Sequence, residues 1–373
     1  MASLWQTLRK DFSITKKYLY FDHAAGGPVP RPVLETAQKY YQEHANEADF
    51  AWVKWINKRE EVRARVAQFI GADPSEITFI SSTSQGMNYV AELLGDQGAV
   101  QMSKSEFPSS TVPWLWRKTK VIWQEPESNG VLPVSKIKQA ATSEVKTIVT
   151  SAVQYATGFR QDLQTLGKNK GNRFLVVNAT QALGAFELNV EKMNIDFLMT
   201  NSYKWMLAGY GGGILYLRKK WLKKFRPQTV GWRSMIEPEA RMDNRSMDLH
   251  PQALRYEIGC PSFPSIFAVG AAAEYFSQIG MTKISERILD LTGYLIEGLE
   301  KLGYEVTSPK KDAQRSGIVV FRHMQPKILW KKLLNEKVCV SPRGTGIRVA
   351  PHFYNTYDEL DRFLKILVRL EKK

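Results

Sequence analysis

Short, nearly unbroken apolar runs alternate along this chain with longer stretches in which apolar positions return every three or four residues. The runs at 77–81, 99–102, 121–124, 147–151, 174–177, 197–200 and 213–217 predict strands buried on both faces. Helical periods run through 32–45, 58–70, 86–94 and 134–141. Strand and helix taking turns in this way predict an α/β fold with a mostly parallel, seven-stranded sheet covered on both faces. After residue 238 the pattern changes. A turn-rich, charged stretch leads into long helices at 265–279 and 281–302, then a strand in Gly317-Ile318-Val319-Val320-Phe321 and a terminal helix at 357–370. We therefore expect a large domain over 17–240 and a smaller α/β domain made of 1–16 and 241–373. No internal repeat or low-complexity segment is visible.

The polar residues that end the central runs carry the chemistry. The run Arg173-Phe174-Leu175-Val176-Val177 stops at Asn178-Ala179-Thr180-Gln181, and side chains at the carboxyl end of such a strand face the crevice where open α/β sheets bind ligands. A second strand delivers Thr200-Asn201-Ser202-Tyr203-Lys204-Trp205 to the same edge, followed by Gly211-Gly212-Gly213. Most lysines sit on solvated faces, so one fixed between a short hydroxyl residue and a glycine-rich turn stands out as a Schiff-base nucleophile. Upstream, Ser82-Thr83-Ser84-Gln85-Gly86 opens a helix after a strand, where hydroxyls and free N–H groups suit a phosphate. The same loop would serve as an ordinary N-cap.

Composition narrows the setting. The 373 residues carry 52 Lys and Arg against 37 Asp and Glu, a net charge of +15. Such an excess can mark nucleic-acid binding, but the basic pairs Lys219-Lys220, Lys223-Lys224, Lys310-Lys311 and Lys331-Lys332 are dispersed and read as solvated faces. We expect no specific nucleic-acid partner. Two cysteines, Cys260 and Cys339, make no disulfide framework or metal motif, and the five histidines are scattered. No apolar run is long enough for a membrane span, and Met1-Ala2-Ser3-Leu4-Trp5 lacks the pattern of a targeting signal. A cytoplasmic enzyme without metal is the expectation.

Taken together, Val-Val-Asn-Ala-Thr-Gln-Ala-Leu-Gly-Ala over 176–185 and Asp-Phe-Leu-Met-Thr-Asn-Ser-Tyr-Lys-Trp over 196–205 resemble the class V aminotransferase and cysteine desulfurase superfamily, fold-type I enzymes that use pyridoxal 5′-phosphate. The resemblance extends from Tyr20-Phe21-Asp22-His23-Ala24-Ala25 to Arg348-Val349-Ala350-Pro351-His352. It implies that Lys204 holds the cofactor and moves the proton at the substrate α-carbon. It implies a phosphate site from Thr83, Ser84, Gln85 and Ser202, with Phe107 stacked on the ring and Gln181 and Tyr155 near the phenolic oxygen. A further phosphate contact comes across a homodimer interface in this family. The matching position here is Cys260 in place of threonine. Arg348, with Arg343 as a second candidate, is implied to grip an α-carboxylate bidentately.

Three departures shape the functional expectation. Asn178 stands where the family has an aspartate that keeps the pyridine nitrogen protonated, and an uncharged amide weakens that electron sink. The segment Arg343-Gly344-Thr345-Gly346 has no cysteine, and Cys339 lies in an alternating, strand-like run, so cysteine desulfurase chemistry is disfavoured. Tyr203 replaces the desulfurase histidine before the lysine. We expect a homodimeric enzyme with shared active sites, acting on a small amino acid through an external aldimine by transamination or lyase-type cleavage. The alternative is a cofactor-binding protein with weak or no turnover because of Asn178.

Overall fold

The computed structural model describes residues 4–127, 129–242, 244–245 and 247–371. Met1, Ala2 and Ser3, part of the segment read for a targeting signal, lie outside them. Strands in chain order are β1 Leu19–Tyr20, β2 Ile77–Ile80, β3 Ala99–Ser103, β4 Val121–Gln124, β5 Val145–Ser151, β6 Phe174–Asn178, β7 Phe197–Asn201, β8 Gly213–Leu217, β9 Val319–Arg322, β10 Val338–Cys339, β11 Ser341–Arg343 and β12 Gly346–Val349. Helices are α1 Leu4–Arg9, α2 Arg31–Glu47, α3 Trp52–Ile70, α4 Thr83–Leu94, α5 Pro108–Trp116, α6 Val134–Gln139, α7 Leu163–Asn169, α8 Lys219–Lys224, α9 Pro238–Arg241, α10 Phe263–Ile279, α11 Met281–Lys301, α12 Pro326–Asn335 and α13 Tyr357–Glu371.

Seven strands form the main sheet in the order β2-β8-β7-β6-β5-β3-β4. Its members run parallel except β8, which lies antiparallel to both β2 and β7. The strand alternation explains why β6 reads as continuously apolar. Leu175 and Val177 enter one core with Trp55, Phe263 and Phe267, while Phe174 and Val176 enter a second core on the opposite face with Met87, Met102 and Trp114. Each such side chain contributes about 1.5–3 kcal/mol on burial.

The helices end where their sequences require. At the end of α3, Gly71 turns left-handed at φ 67, and a Cβ there would stand 2.3 Å from the Asn189 amide. At the start of α4, the Ser82 hydroxyl accepts from the Gln85 N–H at 3.2 Å.

A smaller sheet, β11-β12-β9, packs with α11, α12 and α13 around a third core that includes Phe321, Ile347 and Phe363. The N-terminal segment is tied to this unit: β1 pairs parallel with β10, and Arg9 forms a forked ion pair with Glu359 at 2.8 Å on both arms. Helix α10, beyond residue 240, instead packs on α2 and α3 beside the main sheet. No helix among the described residues is long and apolar enough to cross a membrane.

Candidate active site

Parallel strands β5, β6 and β7 all end at one edge, and the register Ser151 to Asn178 to Met199 sets their carboxyl ends side by side. The turn after β7 places Lys204 over that edge, in a cavity shared with Asn178, Thr180, Gln181 and Thr83. This cavity holds about 80 Å³. A neighbouring one of about 260 Å³, lined by Gln85, Gly212, Tyr256 and Cys260, contains no lysine, so chemistry and not size singles out the first.

Lys204 is 9% exposed, and burial, followed by the nearby positive charges of Arg348 and Arg343, pushes its amine down to about 8. Its Nζ stands 5.5 Å from the centre of the Phe107 ring. The loop that aims it is tightly held. Ser202 N–H donates to the Gly212 carbonyl at 2.9 Å, and Leu207 adopts a left-handed φ of 53 while fully buried. From the N-terminal segment, the Gly27 N–H donates to the Tyr203 carbonyl at 2.7 Å, and a Cβ on Gly27 would lie 2.4 Å from the Lys204 carbonyl. Only glycine fits there.

The structure brings some of the expected phosphate residues together and turns others away. Thr83, in the first turn of α4, shares a 2.7 Å hydrogen bond with Thr180, and exposed Ser84 lines the same cavity. Ser202 instead donates its hydroxyl into the glycine-rich loop, with the Gly209 carbonyl at 2.6 Å and the Gly212 carbonyl at 2.8 Å. Gln85 bends back on its own turn. Its Oε1 accepts from the Ser81 N–H at 2.7 Å and its Nε2 donates to the Tyr89 hydroxyl at 3.1 Å. Gln85 and Cys260 both line the neighbouring cavity, where Cys260 is exposed.

Around the place for a ring, Phe107 is 42% exposed and meets Tyr155 edge-on with centres 5.0 Å apart. Tyr203 stacks face to face on Tyr210 at 4.0 Å. Gln181 is largely committed: its Oε1 accepts from the Trp205 indole at 2.7 Å and its Nε2 donates to the Ala24 carbonyl at 2.9 Å, leaving one N–H for a ligand. Asn178 donates from Nδ2 to Ser110 at 2.9 Å and accepts the Thr180 N–H at 3.0 Å.

Arg348, in β12, is 1% exposed. It donates to the Tyr155 carbonyl at 3.1 Å and stands 3.4 Å from Asp22. Its buried Nε has no hydrogen-bond partner among the described residues. Burial and the neighbouring Arg343 push its guanidinium down to about 10. Arg343 is half-buried and donates to its neighbouring Pro342 carbonyl at 2.8 Å. A guanidinium with an unmet N–H beside a second cation is suited to an incoming carboxylate.

Sequence reasoning did not single out Asp22, Thr180, Ser110 or Glu106 as site residues. Asp22 sat in plain view in a segment quoted for its resemblance. So did Thr180, while Glu106 and Ser110 follow the predicted strand at 99–102 with no local signal beyond being polar. Among the described residues no group of three or more His, Cys, Asp or Glu is placed to hold a metal.

The donor set fits pyridoxal 5′-phosphate. A lysine partly neutral near pH 8 answers the aldehyde, the hydroxyls of Thr83 at the N-terminus of α4 and of its partner Thr180 answer the phosphate, and Asn201, whose buried Oδ1 has no partner among the described residues, lines the same cavity. Comparison with known proteins agrees. Over 98% of both chains this sequence is 28% identical to a probable cysteine desulfurase of Pyrococcus abyssi. It is 26% identical, over 96% of both, to an uncharacterized aminotransferase of Bacillus subtilis. The solved apo structure of a cysteine desulfurase from Thermococcus onnurineus NA1 superposes with a TM-score of 0.91 at 26% identity, covering all of both chains. The family model for aminotransferase class-V matches residues 19–363. With that match and the buried lysine above the strand ends, the chain belongs to the class-V aminotransferase family of fold-type I, pyridoxal-phosphate-dependent enzymes.

Proposed function

We propose that this enzyme acts on a small α-amino acid, binding its carboxylate at Arg348 and moving its α-proton with Lys204, and that it transaminates or cleaves the substrate without a protein persulfide. The observation that carries this reading is the buried amine of Lys204, lowered by burial and by the nearby charges of Arg348 and Arg343, with the buried Arg348 guanidinium lowered in turn by burial and by Arg343. When bound, the cofactor supplies the electrophilic carbon and an electron-withdrawing ring. Thr83, Ser84 and Thr180 would hold its phosphate, Asn178 would face its pyridine nitrogen, and Gln181 and Tyr155 would lie near its phenolic oxygen.

Lys204 with a pKa of about 8 is neutral in about one molecule in ten at pH 7, against about one in three thousand for an ordinary lysine. It is therefore ready both to attack and to carry a proton. The Arg348 fork orients the substrate while Asp22 holds that fork in place. Phe107 and Tyr155 shield the pocket mouth with apolar edges.

Although relatives are named as probable cysteine desulfurases, the thiols here argue for a different branch. Cys339 lies in β10 opposite Tyr20, and burial with the nearby Asp22 raises its thiol above the usual range, which disfavours the nucleophilic thiolate. The β11–β12 turn at Gly344-Thr345 carries no cysteine. We take the working unit to be a homodimer with shared sites, in keeping with the exposed Cys260 segment at the edge of the neighbouring cavity.

The test is to load the purified protein with pyridoxal 5′-phosphate and offer a panel of L-amino acids while measuring keto acid, ammonia and sulfide. Keto acid or ammonia release supports the reading. Sulfide from cysteine that survives Cys339→Ser and Cys260→Ser would point to direct cysteine cleavage, and sulfide lost in Cys339→Ser would restore the desulfurase assignment. A spectrum shifted by amino acid with no product would favour the alternative of a binding protein disabled by Asn178.

A further inference from the structure

The turn that carries Lys204 is held by its backbone carbonyls, and one of them is met from the far side of the molecule's junction. The Tyr203 carbonyl takes the Gly27 N–H at 2.7 Å, and the Lys204 carbonyl takes the Leu207 N–H at 3.2 Å. The Trp205 carbonyl meets no backbone N–H among the described residues. Its donor is a side chain: His352, in the segment that follows β12, has Nε2 3.2 Å away. Both residues are buried. The Trp205 indole donates at its other end to Gln181 Oε1 at 2.7 Å, so this residue spans from the cofactor cavity to the small sheet's loop.

The direction of the imidazole bond follows from proton counting. The Phe353 N–H, which can only donate, meets Nδ1 of His352 at 2.9 Å, so that nitrogen carries no proton. Burial holds the His352 ring well below its usual pKa and therefore neutral. The single ring proton is on Nε2 and goes to the Trp205 carbonyl. His23, with its ring centre 5.2 Å from that of His352, has the opposite arrangement. Its Nδ1 donates to the Ala350 carbonyl at 2.7 Å, and its Nε2 accepts from the Tyr354 hydroxyl at 2.8 Å. The two imidazoles thus have separate duties. His23 fastens the N-terminal segment to residues 350–354, and His352 fastens those residues to the lysine turn.

We propose that His352 is a positioning residue for Lys204: by donating Nε2–H to the carbonyl of the next residue, it locks the lysine turn to the segment that also carries Arg348. The amine and the carboxylate fork are then held in one register across the pocket. What that register serves rests on the reading given under Proposed function, but the lock itself is a property of the cofactor-free chain.

The experiment compares two variants of His352 with a control. His352→Asn keeps an acceptor for the Phe353 N–H but is too short to reach the Trp205 carbonyl, whereas the longer amide of His352→Gln brings a donor to the place of Nε2. Tyr354→Phe removes a hydrogen bond from the same cluster without touching the lysine turn. The readouts are the rate of pyridoxal 5′-phosphate uptake and, in the cofactor-free chain, the pH dependence of Lys204 acetylation by acetic anhydride, followed by mass spectrometry. In His352→Asn, uptake should slow about tenfold, the effect of one lost buried hydrogen bond. The acetylation midpoint should rise from about 8 towards the ordinary lysine value, because a loosened turn lets water reach the amine. His352→Gln should restore both, and Tyr354→Phe should lower the unfolding midpoint while leaving both unchanged.

An asparagine variant with wild-type uptake and titration, or a glutamine variant no better than the asparagine one, overturns the proposal. So does a Tyr354→Phe variant that matches His352→Asn in both readouts, since the effect would then follow stability alone. If His352→Asn does not fold, His352→Phe, which fills the volume of the ring without a donor, takes its place under the same expectations. A chain that takes up no cofactor would defeat the functional reading, and the acetylation midpoint would still decide the positioning.

Discussion

The Arg348 guanidinium and the Asp22 carboxylate stand 3.4 Å apart at the junction of the two sheets, with the Ser341 hydroxyl 2.6 Å from the same carboxylate. Asp22 comes from the segment after β1 and Arg348 from β12, residues 326 apart in sequence, so the pair forms only when the N-terminal segment docks on the small sheet. The arginine is thus fixed in place by the fold itself, with its Nε unmet among the described residues.

Replacing that fork should show in substrate binding first. Arg348→Lys keeps a charge but loses the planar pair of donors, and the half-saturating amino-acid concentration should rise about 10-fold to 100-fold, worth ~1.4–2.7 kcal/mol. Titrating the cofactor's visible spectrum with amino acid reads this directly. An unchanged midpoint would mean that another group binds the carboxylate.

The depressed amine of Lys204 predicts a pH profile. Only the neutral amine attacks the cofactor aldehyde, so the rate of cofactor uptake should climb about tenfold per pH unit and level off near pH 8, where an ordinary lysine would continue to about 10.4. The nearby Asp22 carboxylate raises this pKa, so Asp22→Asn should move the plateau to lower pH. The same shift has a stability sign. The folded pKa lies below the unfolded value, the charged amine costs the fold stability below about 8, and that cost is relieved as pH rises from about 8 towards 10.5. In the cofactor-free chain, Lys204→Met should therefore raise the unfolding midpoint more at pH 7 than at pH 10.

Two hydroxyls should separate cleanly. Ser202 spends its proton inside the glycine-rich loop at 209–212, so Ser202→Ala should lower stability by about 1 kcal/mol through loss of a buried hydrogen bond. Thr83 faces the cavity and pairs with Thr180, so Thr83→Val should weaken cofactor retention, measured by dialysis, with less effect on unfolding. The opposite pattern would return Ser202 to the phosphate.

Gly27 offers a steric test of the loop that carries the lysine. A methyl there would sit 2.4 Å from the Lys204 carbonyl and 2.2 Å from Leu207, and neither backbone nor a fully buried leucine can give that much. Gly27→Ala should displace the loop, slow cofactor uptake and lower the unfolding midpoint together. A variant with uptake like wild type would show that the N-terminal segment does not brace the loop.

What the sequence made legible followed from local physics. Continuous apolar runs such as Phe174–Asn178 are buried on both faces because alternate residues enter different cores, and the polar residues that end them reach the site. Lys204 stood out because small and aromatic neighbours flank it. The helix Pro108–Trp116 was hidden by its internal Pro113, which makes the segment read as a loop although the Pro at its first turn is a good start. Which way Ser202 and Gln85 point could not be read either. That choice is made by carbonyls seven and ten residues onward for Ser202, and by Ser81 and Tyr89 for Gln85, partners that only the folded turn brings near. The Asn178–Ser110 hydrogen bond needs three-dimensional proximity across 68 residues, which no spacing rule reports.

The account rests on one amine. Reducing the cofactor-loaded protein with borohydride and mapping the modified peptide by mass spectrometry tests it most directly. We predict a single phosphopyridoxyl label on Lys204 and a colourless, unlabelled protein in Lys204→Ala. A label on any other lysine, or none on protein shown to be folded, would contradict the assignment.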